Sequence, residues 1–417
     1  MTSARRLYPY LKEGRAKIAF GLLALITVDI LQLLIPRVIK AAVDALTITG
    51  SSASDLLGYA AAISGIAICI GGFRYLWRRC LLGMSRRVEE GLRNDLFDQI
   101  QTLSASYFDQ TKTGDIMAHA TNDIQQIRMA AGMGMVAMND AIILGAAAIG
   151  FMSYINLELT LYVLIPMPFI VFGTRFFSRK MHQRYRNVQQ SFAEMTEAVR
   201  ERFAGIRVVK AYGWEQDSCR AVASESNQYV AENIKLVRVT GAFLPMMVLL
   251  TNVSMAIVLY AGGIKTMTLD ITPGDLVAFI NYLGLLTWPM MAMGWVTNLI
   301  QRGKASLDRI DAILSVIPDI RDRDGAVPIA TVPSTIRLES VTFAYAKDSQ
   351  PVIDDLDLTL NRGEALGIVG PPGGGKSTLL SLLPRLYDID DGAIMLDGLE
   401  GRQVRLSDLR AVFSLSP

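Results

Sequence analysis

Six stretches of this chain are long and apolar enough to cross a bilayer, and they constrain the fold more than any other feature. They lie near residues 18–35, 56–77, 136–155, 157–177, 241–263 and 276–300. About 20 helical residues cross a hydrocarbon core of roughly 30 Å, and in lipid each backbone N–H and C=O must be paired within its own segment, so such runs become helices. Composition agrees: 51% of the 417 residues are hydrophobic and 19% charged, against roughly 25% charged in soluble domains. Wholly soluble, collagen-like and disordered classes do not fit. A cleavable signal peptide does not fit either, because the first run is too long for such a segment and five more follow.

The basic residues orient the bundle. Arg5, Arg6, Lys12, Arg15 and Lys17 precede the first run, and Arg78, Arg79, Arg86, Arg87, Arg93 and Arg128 lie between the second and third. Arg175, Arg179, Lys180, Arg184 and Arg186 follow the fourth, and Arg302, Lys304 and Arg309 follow the sixth. The link at Asn156 and Glu158 has no Lys or Arg, and the link from Gly263 to Asp275 has only Lys265. The positive-inside rule then places both ends of the chain in the cytoplasm, in a multi-pass protein of the plasma membrane. Arg37 and Lys40 fall on the outer side, against the trend. With 41 basic and 39 acidic residues the formal charge is +2, which gives no nucleic-acid footprint. Cys69, Cys80 and Cys219 stand alone, so neither a disulfide framework nor a zinc site is indicated.

The two cytoplasmic links, residues 83–135 and 178–240, are polar but keep helix-period apolar positions such as Val88, Leu92, Leu96 and Ile100. That pattern predicts helices running well past the membrane surface. After residue 300 a helical stretch with Leu307, Ile310 and Leu314 leads into a linker at 317–333. Period-two alternation at Ile336, Leu338, Val341, Phe343 and Tyr345 then starts a soluble region, with further strands predicted at Val352–Leu360 and Ala365–Val369.

The last of these runs into Gly370-Pro371-Pro372-Gly373-Gly374-Gly375-Lys376-Ser377, which fits G-x-x-x-x-G-K-[ST], and a helix-like Thr378–Leu383 follows. Strand, glycine-rich turn and helix form the setting that motif requires. Glycines let backbone N–H groups turn toward phosphate oxygens, the lysine reaches the β- and γ-phosphates, and the Ser377 hydroxyl ligates Mg²⁺. ATP and Mg²⁺ are the expected cofactors. Tyr345 has two readings: an aromatic that stacks on adenine, or one that fills the core.

In four blocks the sequence resembles the ATP-binding-cassette exporters, in the half-transporter form of the bacterial multidrug-resistance-like type. Thr113-Gly-Asp-Ile-Met-Ala-His-Ala-Thr-Asn-Asp123 is similar to the first coupling-helix segment, and Gly205–Glu215 to the approach to the second. Phe343-Ala-Tyr345 resembles the adenine-stacking loop, while Gly370–Thr378, Pro384–Asp388 and Leu396–Gly398 resemble the phosphate loop and the strands after it. The resemblance implies a mainly α membrane protein, a six-helix exporter domain at 1–305, a linker at 306–335, and the first part of an α/β nucleotide-binding domain at 336–417. It also implies coupling helices at Gly114, Asp115, Ile116 and Met117, and at Tyr212, Gly213, Trp214 and Glu215, with Tyr212–Asp217 on the second helix itself. Nucleotide would be held by Tyr345 and by the loop from Gly370 to Thr378.

Family cassettes continue into a glutamine loop, a Leu-Ser-Gly-Gly signature, an acidic strand end and a switch histidine. None occurs after Thr378, and Leu409–Pro417 looks like the approach to the glutamine loop. The expectation is a chain that stops inside the cassette and binds ATP without hydrolysing it. His119 and His182 lie in the membrane-domain loops and read as solvated helix residues. The implied partner is a second half-transporter, with a heterodimer favoured, and the implied cargo is a hydrophobic small molecule or lipid. Asp29, mid-span in the first run, marks a substrate path or a helix-to-helix hydrogen bond, Gln32 being one turn away. Met290 and Met293 add adaptable surface to that path. Two further readings stand beside this one: a nucleotide-sensing membrane binding protein that does not hydrolyse, and a secondary transporter with an incidental soluble tail.

Overall fold

A computed structural model describes residues 6–47, 53–329, 331–346 and 349–414. Arg5 and the final residues of the Leu409–Pro417 stretch lie outside the described residues. The six apolar runs are helices, as predicted, and most extend beyond the apolar stretch. They are α1 (Arg15–Thr47), α2 (Leu56–Thr102), α4 (Thr113–Ile155), the α5–α6 pair (Leu157–Leu164 and Met167–Ala204), α8 (Glu215–Met267) and α9 (Pro273–Leu314). Two short helices interrupt them, α3 (Ala105–Gln110) and α7 (Ile206–Tyr212). α5 gives way to α6 at Ile165 and Pro166, where proline lacks the N–H the helix needs. Pro245 and Pro289 sit inside α8 and α9 without ending them.

The chain divides into two compact units. One comprises Leu7–Val88 and Gln126–Ala305. Its core is built on α9: Phe279, Tyr282, Leu283 and Leu286 are fully buried against Leu144, Ala148 and Met152 of α4, Leu159 and Val163 of α5, and Met247 and Val258 of α8. A second cluster joins α1 to α2 through Ala24, Leu25, Val28, Ile70, Trp77 and Leu81. α6 and α8 run side by side, with Phe177 against Phe243 and Phe192 against Tyr229. α9 approaches α4 so closely at Gly303 that a Cβ there would collide with the Cβ of Ala130.

The other unit comprises Met1–Arg6, Glu89–Gln125 and Ser306–Pro417. Its sheet has the order β2-β1-β3-β4, all neighbours antiparallel, from β1 (Thr335–Phe343), β2 (Ile353–Asn361), β3 (Asp391–Leu396) and β4 (Leu399–Glu400). In register, Leu338 lies between Leu358 and Ile394. Leu338, Val341, Phe343 and Ile353 pack against Leu379 and Leu382 of α10 (Lys376–Leu382), and Leu409 of α11 (Leu406–Val412) packs on Leu396 and Val404.

The predicted strand at Ala365–Val369 is not formed. Those residues have no regular structure and are exposed, Val369 to 95%. A strand exists only with a neighbour to pair with, and among the described residues none lies beside this segment. The reading as a short buried strand is therefore overturned: an apolar run can favour a strand, but pairing is a tertiary property.

Candidate functional site

The glycine-rich loop closes on α10. Gly373 and Gly375 have φ of +83° and +77°, conformations that L side chains rarely adopt. A Cβ on Gly375 would also lie 2.9 Å from the carbonyl oxygen of Val352, so glycine is required there twice over. Lys376 Nζ turns back over the loop and donates to the carbonyls of Gly370 at 2.9 Å and Pro371 at 2.7 Å. Gly374 N–H donates to Pro371 O at 3.1 Å, and Leu379 N–H to Gly375 O at 2.9 Å, which starts the helix. Ser377 is exposed in the first turn, whereas Thr378 is buried. The loop thus gathers an ammonium, an exposed hydroxyl and a helix start around glycines that admit close backbone approach, a donor set suited to a phosphate group and a hard cation.

Tyr345 lies two residues beyond the end of β1, and its hydroxyl is 3.0 Å from Thr378 Oγ1. Its ring makes edge contacts with Phe343 and Tyr387, at centroid distances of 5.0 and 5.3 Å. It remains 55% exposed, so it is neither buried core nor free of the phosphate loop. Tyr387 belongs to the same group; in the sequence it lies in the Pro384–Asp388 block, which carries no local signal for this contact. Its hydroxyl donates to Asp109 Oδ2 of α3 at 2.8 Å. Burial, and then the Asp109 acceptor, push the Tyr387 phenol up to about 12.

The expected coupling segments are placed differently from each other. Gly114, Asp115, Ile116 and Met117 form the first turn of α4, with Ile116 buried. The second segment is corrected: Tyr212–Asp217 is not one helix. α7 ends at Tyr212 because Gly213 adopts φ +66°, a left-handed helix terminus, and α8 starts at Glu215. Tyr212 and Trp214 stack on each other at 5.3 Å and are exposed, and Lys210 pairs with Glu215 at 3.0 Å.

His119 is not simply solvated. Its Nδ1 lies 2.6 Å from Asp123 Oδ2. Asp123 is buried and also accepts from Ser306 at 2.9 Å and from both Nε and Nη2 of Arg309 in α9. Ser306 and Arg309 are more than 180 positions away along the chain, so no local sequence signal reveals the cluster.

Asp29 is buried and accepts from Asn139 Nδ2 of α4 at 3.0 Å. The helix-to-helix alternative therefore has a partner, and it is Asn139 rather than Gln32. Met290 packs at the margin of the α9 core, and Met293 is exposed.

Six helices long and apolar enough to cross a membrane, and a glycine-lysine loop with a small sheet, define a multi-pass membrane protein with a P-loop-like region. The ABC transporter transmembrane region family matches residues 18–290, and the ABC transporter family matches residues 353–415. The chain belongs to the ABC transporter family, among its exporters. It is 32% identical over 399 residues to the multidrug resistance-like ATP-binding protein MdlA of Escherichia coli (strain K12), covering 94% of this chain and 67% of that protein. It is 28% identical to the probable multidrug resistance ABC transporter ATP-binding/permease protein YheI of Bacillus subtilis (strain 168), covering 99% and 71%. To the ATP-dependent lipid A-core flippase of Syntrophus aciditrophicus (strain SB) it is 31% identical, covering 84% and 58%. The chain therefore spans about two thirds of the length of the curated relatives it matches.

Proposed function

We propose that this chain is a subunit of an ATP-driven exporter that moves hydrophobic or amphipathic molecules, drug-like or lipid, out across the bacterial inner membrane. It works with a second half-transporter, and a heterodimer is favoured. The glycine-rich loop carries the reading, with Lys376 Nζ held over it beside the exposed Ser377 hydroxyl. In this reading the loop from Gly370 to Thr378 holds the phosphates, Ser377 is a ligand of Mg²⁺, and Tyr345 offers its ring to adenine. Bound Mg²⁺ would neutralise phosphate charge; the chain's own part is to orient the phosphates through the loop N–H groups and the Lys376 ammonium. The turns at Gly114–Met117 and Tyr212–Glu215 are the proposed points at which cassette movement reaches the membrane helices. Asp29, Met290 and Met293 are proposed for the substrate path. The names of the multidrug-resistance-like and lipid-flippase relatives support both cargo classes.

The test is Lys376→Ala. Removing the ammonium is expected to weaken ATP binding about tenfold or more, equivalent to roughly 1.4 kcal/mol per decade, and to abolish export by the intact assembly. The 417-residue polypeptide alone is expected to bind ATP without releasing phosphate, because turnover also needs a second metal-holding carboxylate and a group that orients water. Export insensitive to Lys376→Ala would instead support a secondary transporter.

A further inference from the structure

The two basic residues that oppose the positive-inside trend, Arg37 and Lys40, meet in one place. A cavity of about 120 Å³ opens where the ends of α1, α4 and α9 converge, lined by Arg37, Lys40, Phe151, Tyr154, Asp275 and Tyr282 among others. Lys40 is accounted for by its pair with Asp275 at 2.5 Å, and Asp275 also accepts from Thr272. Asp44, the next carboxylate along α1, is taken up by the backbone N–H of Gly274 at 2.9 Å and the Thr272 hydroxyl at 3.0 Å. Arg37 is different. Among the described residues no carboxylate pairs with it; its guanidinium lies over the rings of Phe151 at 5.3 Å and Tyr154 at 5.4 Å.

The Phe151 ring is held in place, whereas Tyr154 is exposed. Phe151 stacks on Tyr282 with an interplanar angle of 10°, and Tyr282 is fully buried with its hydroxyl donating to Leu33 O at 2.9 Å. A guanidinium drawn to ring faces by cation–π attraction uses none of its N–H donors there, so they stay available to an acceptor. The cavity lining carries two cations against one carboxylate, one positive charge in excess. Its volume holds several waters and so leaves room for one tetrahedral oxyanion.

We infer that this cavity is a phosphate-binding site, in which Arg37, set by the Phe151–Tyr282 stack, takes the phosphate of an amphiphile's headgroup or a free phosphate. A positively charged side chain on the outer side of a membrane protein is disfavoured, and an anionic ligand supplies the reason for it. The inference goes beyond ATP-driven export and does not rest on it.

The experiment follows the thermal midpoint of the purified full-length protein in detergent, by tryptophan fluorescence, against increasing dihexanoyl phosphatidylglycerol, dihexanoylglycerol or inorganic phosphate. Phosphatidylglycerol is expected to raise the midpoint saturably, with the half-saturating concentration about tenfold higher in Arg37→Gln. Tyr154→Leu, which removes one ring face from an exposed position, is expected to weaken it in the same direction. A saturable rise with phosphatidylglycerol alone identifies a headgroup, and an equal rise with inorganic phosphate that Arg37→Gln weakens identifies the free anion; both support the site. Equal effects of dihexanoylglycerol and phosphatidylglycerol, no saturable rise with either anion, or an Arg37→Gln curve that matches the parent would overturn it. Phosphatidylglycerol binding is read without ATP or export, so failure here and failure of the export reading are told apart.

Discussion

Tyr387 keeps its proton far above neutral pH, because burial and the Asp109 carboxylate both favour the neutral phenol. A folded value of about 12 against the ordinary 10.0 means the stabilising contribution is complete below pH 10 and is lost as pH rises through 12. The tyrosinate absorbance titration of Tyr387→Phe, subtracted from that of the parent, should therefore give a step centred near 12, and a difference curve centred near 10 would contradict the assignment. Asp123 sits in a second polar cluster, where a buried carboxylate receives Ser306 and the fork of Arg309. Asp123→Ala is expected to cost about 2–3 kcal/mol, as for hydrogen bonds to a buried charge, measured by denaturant unfolding in detergent. A cost within experimental error of zero would show that the cluster is dispensable. The phosphate loop was legible residue by residue because its chemistry is local: eight consecutive positions carry the whole signal. Tyr387 and Asp123 were not, because each draws its meaning from a partner in a distant segment.

At the level of elements, periodicity and apolar run length identified all six membrane helices and their extensions, since a helix satisfies its backbone within itself. The segment Ala365–Val369 shows where that logic stops, because a strand depends on a neighbour. The break at Gly213 was equally hidden: its position within Tyr212–Asp217 is visible, but the left-handed turn that splits the segment into two helices is a conformational choice. Helix contacts also rest on small residues. Gly303 lets α9 meet α4 at Ala130, so Gly303→Val should separate the helices and cost about 1–3 kcal/mol through overpacking, read as a lowered thermal midpoint. An unchanged midpoint would mean that the contact at Ala130 relaxes freely.

For the whole molecule, the sides of the membrane that we propose from the distribution of basic residues can be tested on native and introduced thiols. Cys219, exposed near the start of α8, is expected to react with a membrane-impermeant maleimide only after cells are permeabilised. Lys265→Cys, at the end of α8, should react in intact cells once the native cysteines are replaced. The reverse pattern would invert the topology. The sequence by itself determined the class of protein, the six helices apolar enough to cross a membrane and the place of the glycine-lysine loop, because hydropathy and a contiguous motif act over short stretches of chain. Only the tertiary structure decided that Asp29 pairs with Asn139 and that Asp123 gathers Ser306 and Arg309. It also decided that Arg37 lies on an aromatic stack beside a cavity, and that the strand sequence before the phosphate loop stands unpaired. Each of these depends on a partner many residues away, and the energy of a contact is carried by proximity in space, which run length and spacing do not encode.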